Sequence, residues 1–79
     1  GGRTEIGFAI DQPAKVKMQI FDVRGRLIHR RDAEFKKAGR CRLFWDGSAQ
    51  SGRPCASGIY FLRLSTADMR ADKKFLLIR

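Results

Sequence analysis

Apolar and polar residues alternate along most of this chain, and the three-to-four spacing of an amphipathic helix is nearly absent. In "TEIGFAI", Ile6, Phe8 and Ile10 share one face. In "KVKMQIF", Val16, Met18 and Ile20 face one way, with Lys17, Gln19 and Phe21 opposite. "RLIHRRDAEF" follows, with Ile28 as its expected core residue. In "RCRLFW", Cys41, Leu43 and Trp45 share a face, opposite Arg42 and Phe44. "IYFLRLS" aligns Tyr60, Leu62 and Leu64, and "KKFLLIR" closes the chain. Turn residues separate these runs: Asp11 to Ala14 around Pro13, Asp22 to Gly25, Lys36 to Gly39, Asp46-Gly47, Ser51-Gly52, Ser57-Gly58 and Ala67-Asp68. Short alternating runs at this spacing predict an all-β fold, an immunoglobulin- or fibronectin-III-like β-sandwich of about seven antiparallel strands.

The most informative stretch is "WDGSAQSGRPCASGIYFLRL", Trp45 to Leu64. Asp46 before Gly47 suits a turn in which a short carboxylate accepts nearby backbone N–H groups. Trp45 is large enough to cover one end of a small core. Gly52 and Gly58 tolerate backbone angles that other residues resist, as does Gly25 after Asp22. Gly58-Ile59-Tyr60-Phe61-Leu62 has the order of a sandwich strand that opens at a tyrosine corner. Cys41 and Cys55 admit two readings. A hairpin centred near Ser48 sets them opposite each other, where a bridge closing about 15 residues adds roughly 3 kcal/mol. Otherwise they are two buried thiols acting as small apolar residues.

Composition narrows the function classes. The 79 residues make one small domain: residues 1–3 read as a linker end or cloning remnant, and 4–79 as a single β-sandwich. The start has neither a signal-peptide pattern nor a spanning apolar run, so targeting is expected to lie elsewhere in a larger parent protein. Seventeen Lys and Arg against eight Asp and Glu give a net charge of +9, enough to attract anionic surfaces without selectivity. Eight of the basic residues fall between Arg24 and Arg42. A nucleic-acid module is not expected, because the RNA-reading strand signature is missing. No nucleophile–base set, paired carboxylates, metal cluster or phosphate loop marks an enzyme, and no cofactor is expected.

"VKMQIFDVRGRLIHR", "AGRCRLFWDGSAQSGRPCASGIYFLRL" and "DKKFLLIR" together resemble a family of bacterial β-sandwich modules, over Thr4 to Arg79. Two groups share these motifs: the immunoglobulin-like domain of the flagellar hook-capping protein, and the C-terminal sorting domains of type IX secretion cargo. Cys41 and Cys55 stand where the family more often has His or Val. Their joint departure favours the disulfide and an exported protein. The ending "FLLIR" after a basic strand fits the sorting group better.

The resemblance therefore implies a non-catalytic sorting module at the C-terminus of a secreted protein. Its partners are then the secretion or surface-attachment machinery, preceding domains of the parent, and anionic lipopolysaccharide. Its location is the outer-membrane surface or the extracellular space, reached through the periplasm. Lys73, Lys74 and Arg79 on the last strand are the candidate recognition residues, by strand addition. The alternative is a structural scaffold or docking domain of hook-capping type, or a spacer. In that case Phe21, Phe44, Ile59 and Phe61, all on the phase opposite the core, form the candidate docking patch.

Overall fold

In the computed structural model, which describes residues 3–79, the alternation becomes six strands and no helix. They are β1 (Thr4–Ile10), β2 (Ala14–Phe21), β3 (Leu27–Phe35), β4 (Gly39–Trp45), β5 (Gly58–Ser65) and β6 (Arg70–Leu77). All pairings are antiparallel: β1 with β4 in one sheet, and β3-β2-β5-β6 in the other. The expected all-β immunoglobulin-like sandwich is the fold found, with six strands in place of about seven. The stretch after Trp45 forms no strand of its own. Gly47, Gly52 and Pro54 break it into turns, with a single isolated bridge between Ser48 and Pro54. Gly1 and Gly2, read as linker or remnant, lie outside the described residues. Arg3, grouped with them, is engaged instead, its guanidinium 4.0 Å from the centre of the Phe44 ring.

Period-two faces meet between the sheets. Ile6, Leu43 and Trp45 from one sheet pack on Val16, Met18, Ile20, Tyr60, Leu62 and Leu77 from the other. Met18 and Ile20 are fully shielded from solvent, and Trp45 is 1% exposed. Phe8 closes the far end edge-on to Phe35, ring centres 5.5 Å apart. β3 gains a second inward residue beside the expected Ile28. A bulge between Ile20 and Phe21 pairs Ile20 with His29 and Phe21 with Leu27. Ile28 is left without a cross-strand partner but packs half-buried against the core, as expected of it, and His29 takes an inward position beside Trp45. An extra residue on one strand moves every later side chain to the other face.

The disulfide is not present: Cys41 and Cys55 are free thiols. The physical reason is register. The expected hairpin exists, but it turns at Ser51, because Ser48 pairs with Pro54 and the Cys55 N–H donates to the Gly47 carbonyl at 2.8 Å. Cys55 is thereby held beside Gly47, while Cys41 faces Phe8 on β1. The four residues of extended strand from Cys41 to Trp45 cover about 13 Å, well beyond the roughly 7 Å limit on Cα separation for a bridge.

Thiol counting on unreduced protein checks this. Two thiols per chain are expected in denaturant. In the native state Cys55 should label slowly and Cys41, 6% exposed, only on unfolding. A count of zero after denaturation would mean the bridge forms after all.

Candidate functional site

The Trp45–Gly58 connection carries the chain from the two-stranded sheet to the four-stranded one, and its polar groups bind mainly one another. Gly47 adopts φ 81°, a left-handed angle that a Cβ resists, which lets the chain turn directly after the strand. Asp46 Oδ1 accepts the Ser48 N–H at 3.0 Å and the Ser48 hydroxyl at 2.5 Å. The Trp45 indole N–H donates to the Ser48 carbonyl at 2.8 Å. The Tyr60 hydroxyl reaches back to the Ala56 carbonyl at 2.6 Å, the geometry of a tyrosine corner. Its ring meets Trp45 edge-on, centres 5.5 Å apart, and Phe75 meets the indole at 5.7 Å.

Two residues complete this corner that residue-by-residue reading did not place there. Gln50, at the tip of the connection, donates its N–H to the Ile28 carbonyl and accepts the Arg30 N–H on its side-chain oxygen, both at 2.8 Å. It thus occupies part of the free edge of β3. Arg79 folds back on the same corner. Its Nε donates to the Cys55 carbonyl at 2.6 Å, its Nη2 to the Gly47 carbonyl, and its N–H to the Ser57 hydroxyl at 3.0 Å. Of the three candidate recognition residues, Lys73 and Lys74 stand exposed on β6, and the Arg79 side chain is occupied by these carbonyls. Gly47 is buried, so its carbonyl has little access to water and takes the guanidinium instead.

The β2–β3 turn uses the same device. Asp22 Oδ1 accepts the N–H groups of Arg24 and Arg26 at 2.9 and 3.0 Å, and Oδ2 accepts Arg26 Nε at 2.9 Å. Gly25, at φ 80°, donates back to the Asp22 carbonyl. The order Asp-x-x-Gly-Arg is therefore one closed loop of hydrogen bonds.

The candidate docking residues divide between the sheets. Phe21 and Phe61 lie opposite each other on the outer face of the four-stranded sheet, and Ile59 lies two residues along, opposite Leu76. Ile59, Phe61 and Leu76 are exposed at 44%, 40% and 60%. Phe44 does not join them. It sits on β4, in the other sheet, beneath Arg3. Alternation assigns a residue to a face of its own strand but not a strand to a sheet. Among the described residues no three or more His, Cys, Asp or Glu side chains gather as a metal site would need.

Electrostatics follow these contacts. The Arg26 backbone N–H is the main influence holding the Asp22 carboxyl below its ordinary value of 3.8. The Ser48 hydroxyl and N–H do so for Asp46, and the Arg70 and Arg63 side chains for Asp72. Desolvation pushes the Cys55 thiol and the Tyr60 phenol upward.

Comparison with known proteins places this corner in context. The family model described as the FlgD Ig-like domain matches residues 1–69. The FlgD structure from Xanthomonas campestris, described as giving insights into the hook capping essential for flagellar assembly, superposes with a TM-score of 0.78 at 25% identity. It covers 96% of this chain and 55% of its own. FlgD from P. aeruginosa gives a TM-score of 0.76 at 18% identity, over 95% of this chain and 58% of its own, a likeness of fold alone. The chain thus spans a little over half the length of these two proteins. No curated protein matches it in sequence. These matches overturn the expected location at the outer-membrane surface. That location came from the sorting-domain side of the resemblance, and the matched family and both structures are of FlgD type.

Two outcomes follow. Trp45→Ala, which empties the space shared by Tyr60, Phe75 and His29, should cost about 3–5 kcal/mol. In a domain of this size that is a large share of the total, so urea unfolding should show little folded protein. A loss under about 1 kcal/mol would mean the indole is not the anchor. The second concerns acid. A depressed carboxylate stabilises the fold fully above its unfolded value, and loses that contribution as pH falls through its folded one. The melting temperature should therefore hold from about pH 7 to pH 5 and drop below about pH 4, with Asp46→Asn removing part of the drop. An unchanged melting temperature down to about pH 2 would contradict this.

Proposed function

The chain belongs to the FlgD Ig-like domain family, and we propose from this that it is a non-catalytic structural module of a hook-capping flagellar protein, exported with its parent for flagellar assembly. The carrying observation is the family match over residues 1–69. The geometry of the Trp45–Gly58 corner supports the same reading. Its Asp46, Ser48 and Tyr60 side chains are engaged in turns and a corner, so the stretch with the most chemistry-bearing residues serves as a joint. The chain is one module of a longer polypeptide, in line with the greater length of both matched structures.

Its partners are neighbouring parts of the flagellar cap, reached through the apolar outer face of the four-stranded sheet around Phe61, Ile59 and Leu76, with Phe21 beside them. Four apolar side chains adjoining across three strands form a patch that water alone leaves uncovered. Lys74, opposite Phe61, and Arg63, 5.4 Å from the Phe21 ring, edge this patch with positive charge.

The test is a Phe61→Ser, Leu76→Ser double variant of the parent protein in the organism that encodes it. Both side chains are exposed, so the isolated domain should keep its stability to within about 1 kcal/mol. Hook completion and motility should be lost. Normal hooks and swimming would overturn the docking face. Normal motility after deletion of residues 4–79 would overturn the flagellar reading itself.

A further inference from the structure

The two outer faces of the sandwich carry charge differently. On the four-stranded sheet the acids are taken up: Asp32 meets Arg30, Glu34 meets Lys36, and Asp72 meets both Arg63 and Arg70. The two-stranded sheet turns Glu5, Gly7 and Ala9 of β1 outward, opposite Phe44, Arg42 and Arg40 of β4. Arg3 lies over the Phe44 ring at 4.0 Å, and Arg31 reaches the Phe44 carbonyl from β3 at 3.5 Å. The guanidinium groups of Arg3, Arg31, Arg40 and Arg42 therefore gather around a single carboxylate, Glu5, which Arg42 meets at 3.6 Å. Among the described residues, Arg3, Arg31 and Arg40 have no ion-pair partner.

Each of the two arginines on β4 faces a small residue. Opposed side chains of an antiparallel pair begin about 5 Å apart. Here the place opposite Arg42 holds no side chain, and the place opposite Arg40 holds one methyl group. A Cβ at Gly7 would meet no atom within 4 Å. β1 thus offers a flat, open shelf beside two arginines rooted roughly 7 Å apart along β4. Alternate side chains of any extended chain repeat at that same distance. A guanidinium fork also matches a carboxylate with two parallel hydrogen bonds. The contact between Arg42 and Glu5 is exposed, hence weak, and Arg42 can exchange it for a better partner.

We propose that this face binds an extended acidic segment of a protein partner. Carboxylates at alternate positions of that segment pair with Arg42 and Arg40, and its backbone lies over Gly7 and Ala9. The site is separate from the apolar patch around Phe61, which lies on the other sheet, and it holds whether or not the parent caps a hook. Among the described residues, none of the exposed large apolar side chains belongs to β1 or β4. A lipid surface therefore finds nothing here to insert. Phe44 is the aromatic ring of this face, and Arg3 covers it, so a nucleic-acid base finds no open ring to stack on.

The test is binding of a synthetic peptide, glutamate alternating with threonine and long enough to run the seven residues of β1, to the 79-residue chain at low salt. The double variant Arg40→Ser, Arg42→Ser should weaken binding on the order of 10-fold. Lys15→Ser with Lys74→Ser removes the same charge from exposed positions on the other sheet, and should change binding less than about twofold. Gly7→Tyr alters no charge but fills the shelf, and should weaken binding on the order of 5-fold. These positions are all exposed, so each variant should melt within a few degrees of the parent chain. Equal losses from the two double variants would overturn the proposal by reducing the face to net charge. Unchanged binding by Gly7→Tyr would overturn it as well. Tighter binding of oligothymidylate or of phosphatidylglycerol vesicles, lost with Arg40 and Arg42, would give the face to nucleic acid or lipid instead. Amide shifts of the unmutated chain provide an independent readout. They should concentrate at Gly7, Ala9, Arg40 and Arg42 as peptide is added, and changes centred on β2 or β5 would contradict the site.

Discussion

The indole of Trp45 is the contact on which this fold turns. It is the last residue of β4, in the smaller sheet, yet its ring packs against His29, Tyr60 and Phe75 from three strands of the larger one. Its N–H is held by the Ser48 carbonyl, so the ring cannot rotate without breaking the turn that follows it. A buried aromatic with a satisfied polar edge contributes area and direction together. One side chain thus sets the separation of the sheets and the exit path of the chain. Tyr60 does the complementary job from the other sheet, its ring on the indole and its hydroxyl on Ala56.

The corner built on that contact is a chain of satisfied carbonyls. Gly47 is buried, and its carbonyl receives the Cys55 N–H and the Arg79 guanidinium. The Cys55 carbonyl receives Arg79 as well. A charged donor on two backbone acceptors is stronger than a neutral one, and it fastens Arg79, two residues beyond β6, to the loop before β5. That is a useful arrangement in a module with one small core. The exposed ion pairs of β3 and β6, by contrast, contribute little to stability and act mainly to keep those edges from pairing.

Most of the fold was legible where one rule decided the outcome. In β2 and β4, strict alternation marked Val16, Met18, Ile20, Cys41, Leu43 and Trp45 as inward, and all six are buried. Where two elements had to be placed relative to each other, local reading lost its grip. The disulfide expectation failed by a hairpin centre displaced from Ser48 to Ser51, a shift that moves the partner of Cys55 from Cys41 to Gly47. The bulge opposite Ile20 and Phe21 brought His29 inward as well, beside the half-buried Ile28 that alternation had marked for the core. Phe44 joined the wrong patch because alternation does not say which sheet a strand enters. The roles of Gln50 and Arg79 depend on contacts spanning 20 and 24 residues, and no local pattern marks a backbone carbonyl that will need a distant donor.

The distribution of charge over the edges ties these observations together. A net charge of +9 looks, in composition alone, like an affinity for anionic surfaces. In the fold, much of it has a more particular placement. Arg30 and Arg31 lie on β3, Arg40 and Arg42 on β4, Arg70, Lys73 and Lys74 on β6, and each of these is an edge strand. Those edges carry charges that resist pairing, and Gln50 on the β3 backbone and Arg31 on the Phe44 carbonyl add cover between β3 and β4. β1 carries Glu5 alone, and together with β5 and β6 it borders an apolar groove lined by Phe8, Leu62, Leu64 and Phe75. Had solubility been the only demand on this surface, the same protection would be expected on every edge.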